Sequence, residues 1–195
     1  MSLYQTEQRQ AKTTRILVYP NITFAKDLEK DSYIQVIKKQ ITLLNEIRDD
    51  LWFYLILPKE VPSLVFDNVT QLIVYLPTHS PTMRAHFDTE AIKKVLPREY
   101  DFDLVMCHLP EHAYDLKNVL YNKTQHVPKF FGYAHWFDFK EVVNWPMDSF
   151  NKSMIGLLEY DKCYINTQHQ KEMVLKQAEE IFNSDTLYKL SLIHI

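Results

Sequence analysis

Residues 104–135 read LVMCHLPEHAYDLKNVLYNKTQHVPKFFGYAH. Two apolar runs, Leu104 to Cys107 and Lys129 to Ala134, flank a stretch of helical period that reads from about Ala113 to Tyr121. A strand, a helix and a second strand within some thirty residues form the unit that joins parallel neighbours, because a parallel return needs a crossover of about a dozen residues or more. Both apolar runs lead directly into a histidine, His108 and His135.

The same rhythm extends in both directions. Upstream, RILVY (Arg15 to Tyr19) is a continuous apolar run, and Asp31 and Ser32 then offer N-caps to a helix with Ile34, Ile37, Ile41 and Leu44 on one face. WFYLIL (Trp52 to Leu57) ends at Pro58 and LIVYL (Leu72 to Leu76) ends at Pro77, each proline marking a strand exit. Asp88 to Leu96 carries Ala91, Ile92 and Val95 at helical spacing. Downstream, Met147 to Glu159 reads as a helix with Phe150, Met154, Leu157 and Leu158 inward, and KCYIN (Lys162 to Asn166) as a short strand. Gln168 to Phe182 follows as a helix whose buried stripe is Val174, Leu175, Ala178, Ile181 and Phe182.

Strands and helices alternating in this way predict an α/β domain over residues 15–185, a parallel sheet of about six to seven strands with helices on both faces. Residues 1–14 read as a flexible polar arm. The closing LSLIHI breaks the rhythm and reads like a library adapter translated as protein, which would make 186–195 a non-native tail; the other reading is a frayed end or a seventh strand.

Composition narrows the function. The net charge of −3 over 195 residues provides no basic field for nucleic acid or anionic lipid. The longest apolar runs fall far short of the roughly 20 residues that span a bilayer. With no apolar segment in the polar N-terminal stretch, a cytoplasmic location is expected. Gly132 and Gly156 are the only two glycines. A glycine-rich dinucleotide fingerprint or a P-loop is therefore impossible, since both need several glycines to bring backbone against phosphate. Cys107 and Cys163 lie in apolar runs without a CxxC and read as buried reduced thiols. No metal or resident cofactor is expected.

In open parallel sheets, ligands bind beyond the strand carboxyl ends. His79, His108 and His135 all follow apolar runs by at most two residues, where imidazoles can bind hydroxyls or move protons. Arg84, between the third strand and the next helix, can grip paired oxygens or can pair with Asp88 one turn on. His135-Trp136-Phe137-Asp138-Phe139 sets an imidazole, an indole and a carboxylate just past the fifth strand. Aromatic faces there can stack on sugar rings and Asp138 can support a base, while packing alone also accounts for Trp136. Asp101-Phe102-Asp103 has the DxD pattern of a metal site. It precedes its strand rather than following it, which puts it at the wrong edge of the sheet.

FFGYAHWFDF, followed by a helix and GLLEYDKCYINTQHQKEMVLKQA, resembles the N-terminal Rossmann-like domain of GT-B glycosyltransferases over roughly Arg15 to Phe182. The resemblance implies the acceptor-binding half of a nucleotide-sugar-dependent enzyme, with His135 and Asp138 as catalytic groups. It further implies a C-terminal donor-binding domain absent from this chain, a nucleotide sugar as co-substrate, and a sugar acceptor of undetermined kind. Asn166 and Thr167 would line the same cleft with Asn21, Arg84, His108 and Trp136, and Thr167 can equally cap the next helix. The chain departs from the family in having Pro20-Asn21-Ile22-Thr23-Phe24 where many members carry a glycine-rich loop. The alternative function is a non-catalytic flavodoxin-like binding or partner module.

Overall fold

The computed structural model describes residues 13–20, 31–58, 66–74, 86–96, 101–135, 147–190 and 192–194. They form a Rossmann-like α/β fold. In chain order the elements are β1 (Thr14–Tyr19), α1 (Ser32–Ile47), β2 (Leu51–Pro58), β3 (Val69–Val74), α2 (Thr89–Val95), β4 (Leu104–Cys107) and α3 (Pro110–Thr124). They continue with β5 (Lys129–Ala134), α4 (Met147–Leu157), β6 (Lys162–Ile165), α5 (Gln168–Ile181), α6 (Ser184–Leu187) and β7 (Leu192–His194). The seven strands are all parallel, in the order β3-β2-β1-β4-β5-β6-β7. The C-terminal residues add the seventh strand, with Cys163 opposite Leu192.

Strand order and handedness together decide which face each helix covers. The chain moves one way across the sheet from β1 to β3 and the other way from β4 to β7. Right-handed crossovers therefore put their helices on opposite faces. Alternate residues of β1, β2 and β4 feed two separate cores. Ile16, Val18, Phe53, Leu55 and Leu57 pack with Ile34, Ile37 and Ile41 of α1. Leu17, Tyr19, Tyr54, Ile56, Val105 and Phe130 pack with side chains of α2 to α5 such as Ile92, Leu116, Met154 and Val174. α1 is held on its face by those three isoleucines, each at most 1% exposed and contributing about 1.5–3 kcal/mol by burial. Its start is set by the Asp31 carboxylate, which accepts the Ile34 N–H at 2.9 Å. Asp at Ile37 would remove the middle anchor and break this packing.

Several boundaries differ from the sequence reading. The third strand starts at Val69 rather than Leu72, because pairing with β2 begins at Phe53 opposite Val69 and so takes in the polar Thr70 and Gln71; the end read for it, Leu76, lies outside the described residues. α3 starts at Pro110, not Ala113: proline suits the first helical position, where its missing N–H costs nothing. In α5 the buried stripe is Val174, Gln177 and Ala178, while Ile181 is 47% exposed at the helix end. Both cysteines are free and buried, as read. Asp103 spends its carboxylate at the amino edge of the sheet, accepting the Arg15 N–H at 2.9 Å. Among the described residues no helix is long and apolar enough to cross a membrane, and no three or more His, Cys, Asp or Glu side chains gather where a metal ion could be held.

Candidate functional site

The order of the sheet reverses between β1 and β4, and the crevice beyond their carboxyl ends is where such folds take ligands. His108 stands there. Its N–H extends the β1–β4 ladder by one bond, to the Tyr19 carbonyl at 2.9 Å, so the side chain is held at the strand end with only 2% of its surface exposed. His135 leaves β5 one strand further along. The two imidazoles meet: His108 Nδ1 and His135 Nε2 are 3.1 Å apart, so one carries a proton and the other accepts it.

Aromatic rings frame the pair. Tyr133 lies 4.2 Å from the His135 ring and stacks at 5.9 Å and 18° on that of His108. Tyr33, in the first turn of α1, meets His135 edge-on at 4.6 Å. Behind the pair, Asn166 donates from Nδ2 to the His135 carbonyl at 2.9 Å and ties the end of β6 to the end of β5.

This surrounding keeps both imidazoles uncharged at neutral pH. Burial pulls His108 down to about 3, with His135 beside it adding to the effect. Burial likewise pulls His135 down to about 4. A charged imidazolium would have to give up water for apolar rings, so the neutral pair, joined by one hydrogen bond, is the stable form.

The structure brings together three of the residues singled out in the sequence: His108, His135 and Asn166. Thr167 does not join them. It is exposed, and its hydroxyl accepts the Gln170 N–H at 3.0 Å as the N-cap of α5, the second of its two readings. Asn21, Arg84, Trp136 and Asp138 lie outside the described residues, as does His79. Asp88, proposed as a partner of Arg84, uses its carboxylate to cap α2, accepting the Ala91 N–H at 2.9 Å.

Sequence reading missed Tyr33 and Tyr133. Tyr133 was within reach, since it lies two residues before His135 and therefore on the same side of the strand. A second buried group on the opposite face was also missed: Tyr19 Oη and His112 Nδ1 are 2.9 Å apart, with Phe87 edge-on to the His112 ring. Burial raises the Tyr19 phenol far above its ordinary range, so it stays protonated. Placing the start of α3 three residues late hid this group, because His112 belongs to the first turn.

No protein-family model matches the chain, and no curated protein sequence matches it.

Proposed function

We propose that this chain is the acceptor-binding half of a nucleotide-sugar-dependent glycosyltransferase, with the donor held by a second domain. The observation that carries this reading is the His108–His135 pair, set just past two adjacent parallel strands beside the point where strand order reverses. Transfer from a nucleotide sugar passes through an oxocarbenium-like transition state, and the acceptor hydroxyl must be oriented and relieved of its proton. In this reading His135 Nδ1 meets the acceptor hydroxyl and His108 fixes the ring through Nε2. Asn166 holds the backbone that carries it, and the resemblance gives Asp138 the part of stabilising the developing positive charge.

Desolvation favours a second reading. At about 4, His135 is a weak proton acceptor, which suits a hydrogen-bonding wall in a non-catalytic flavodoxin-like module.

The complete reading frame, sequenced across its locus and expressed, separates the two. The transferase reading expects a further nucleotide-sugar-binding domain and sugar transfer from a panel of labelled nucleotide sugars. It also expects His135→Ala to slow that transfer by about 10²–10⁴-fold. No transfer with any donor, or an unchanged rate in a folded His135→Ala protein, would overturn it and leave the binding module.

A further inference from the structure

Of the two histidines at the strand ends, His108 is buried on all sides and His135 is only half-buried. One side-chain hydrogen bond, between Nε2 and His108 Nδ1 at 3.1 Å, holds the far end of the His135 ring. It does little to fix the plane of that ring, because rotation about the Cβ–Cγ bond of a histidine has broad minima. Nδ1 is the nitrogen left over, and it meets a ligand in one direction only if the plane is held as well.

Tyr133 has the placement to hold it. It lies two residues before His135 on β5, so both side chains leave the same side of the strand. The two ring centroids are 4.2 Å apart with the planes inclined at 37°. Among the described residues this is the shortest ring contact of either histidine: Tyr33 meets His135 edge-on at 4.6 Å, and the two imidazoles are 5.3 Å apart. The same phenol ring lies 5.9 Å from His108 and within 18° of parallel to it, and the imidazoles are within 19° of parallel to each other. One ring face therefore backs both imidazoles and sets the tilt they share.

We propose that Tyr133 is a positioning residue, the face of its ring fixing the plane of the His135 imidazole beside His108 and keeping water from it. Its part in turnover rests on the transferase reading; the placement of the ring does not. Burial is what brings His135 down to about 4, and an apolar ring laid against an imidazole supplies burial without charge. The titratable side chains that face His135 among the described residues are His108 at the end of β4, Tyr33 on α1 and Tyr133 itself, while β6 contributes the amide of Asn166 to the His135 carbonyl. None of these is a carboxylate, a lysine or an arginine, so a change in the titration of His135 reports its cover. Only the ring face enters, and phenylalanine should serve as well as tyrosine.

Proton NMR of the 195-residue chain tests this, with the His135 Cε1–H and Cδ2–H signals followed downward from about pH 8. In the parent these signals should lie upfield, displaced by the Tyr133 ring, and should show cross-relaxation to the Tyr133 ring protons. Tyr133→Ala should remove the displacement and raise the His135 pKa from about 4 to about 5 or above. Tyr133→Phe should keep both at their parental values. Urea unfolding checks that each variant is folded, and should Tyr133→Ala not fold, the displacement and cross-relaxation in the parent still decide. In the complete enzyme Tyr133→Ala should lower kcat about tenfold or more, with little change in KM, and Tyr133→Phe should restore it. A moved titration in a complete protein that transfers no sugar supports the placement and overturns only the transferase reading. The proposal is overturned by a parental His135 titration in folded Tyr133→Ala, by Tyr133→Phe behaving as Tyr133→Ala does, or by absence of the ring displacement and cross-relaxation in the parent.

Discussion

Lowering the pH from 7 to 5 will destabilise this protein through the His108–His135 pair, and the size of the loss follows from the site. In the unfolded chain both imidazoles titrate near 6.5, whereas in the folded protein burial holds them at about 3 and about 4. A base with a depressed folded pKa binds more protons when unfolded. Stability is therefore fully present above 6.5 and is lost as the pH falls from there toward the folded values. Between pH 7 and pH 5 the unfolded state gains about three-quarters of a proton at each ring while the folded state gains almost none, a loss of about 2 kcal/mol per histidine. Carboxylates contribute little in this window, since they titrate mostly below it. Urea unfolding followed by tryptophan fluorescence at half-unit pH steps measures the loss. The remaining histidines cancel when the protein is compared with His108→Leu, which should lose about 2 kcal/mol less than the parent between the two pH values. Equal losses in parent and variant would show that His108 is not held neutral by burial, and the account of the site would fall with it.

Three further outcomes follow from packing and capping. Gly132→Ala should cost about 1–3 kcal/mol in urea unfolding, since a Cβ there would lie 2.5 Å from the Tyr160 ring; that ring is 3% exposed and is anchored by its hydroxyl donating to the Cys107 carbonyl at 3.2 Å. A cost near zero would mean that the ring can move aside. Thr167→Ala should cost about 1 kcal/mol as a lost helix cap and leave any ligand affinity unchanged, whereas loss of affinity at intact stability would return Thr167 to the cleft. Cys107 and Cys163, whose thiols burial pushes up to about 12, should react with a thiol-specific disulfide reagent only at the rate of unfolding; prompt labelling of the folded protein at pH 8 would contradict their burial.

Much of this molecule was legible in one dimension. The alternation of apolar strands with helices of 3.6 period is local chemistry, and each strand in 104–135 was bounded correctly because hydrophobic runs this short have few other uses. The positions of His108 and His135 at strand ends were equally plain, since they are the first polar residues after LVMC and KFFGYA. Asp31 and Thr167 occupy cap positions that the sequence marks by residue type and spacing.

Other features depended on which segments meet. The contact between His108 and His135 joins residues 27 apart, and only the pairing of β4 with β5 brings their rings within a hydrogen bond. Tyr33 comes from α1, which handedness alone assigns to the face where it borders the histidines. The start of β3 is set by its partner β2 rather than by its own polar residues. Gly156 looks unremarkable in the sequence, yet a Cβ there would run into the Pro110 carbonyl at the start of α3. Sequence determined the elements, the fold class and which side chains end the strands, because those depend on neighbours along the chain. The neutral histidine pair and its aromatic frame depend on distances through space and on the water those contacts exclude, and only the tertiary structure decided them.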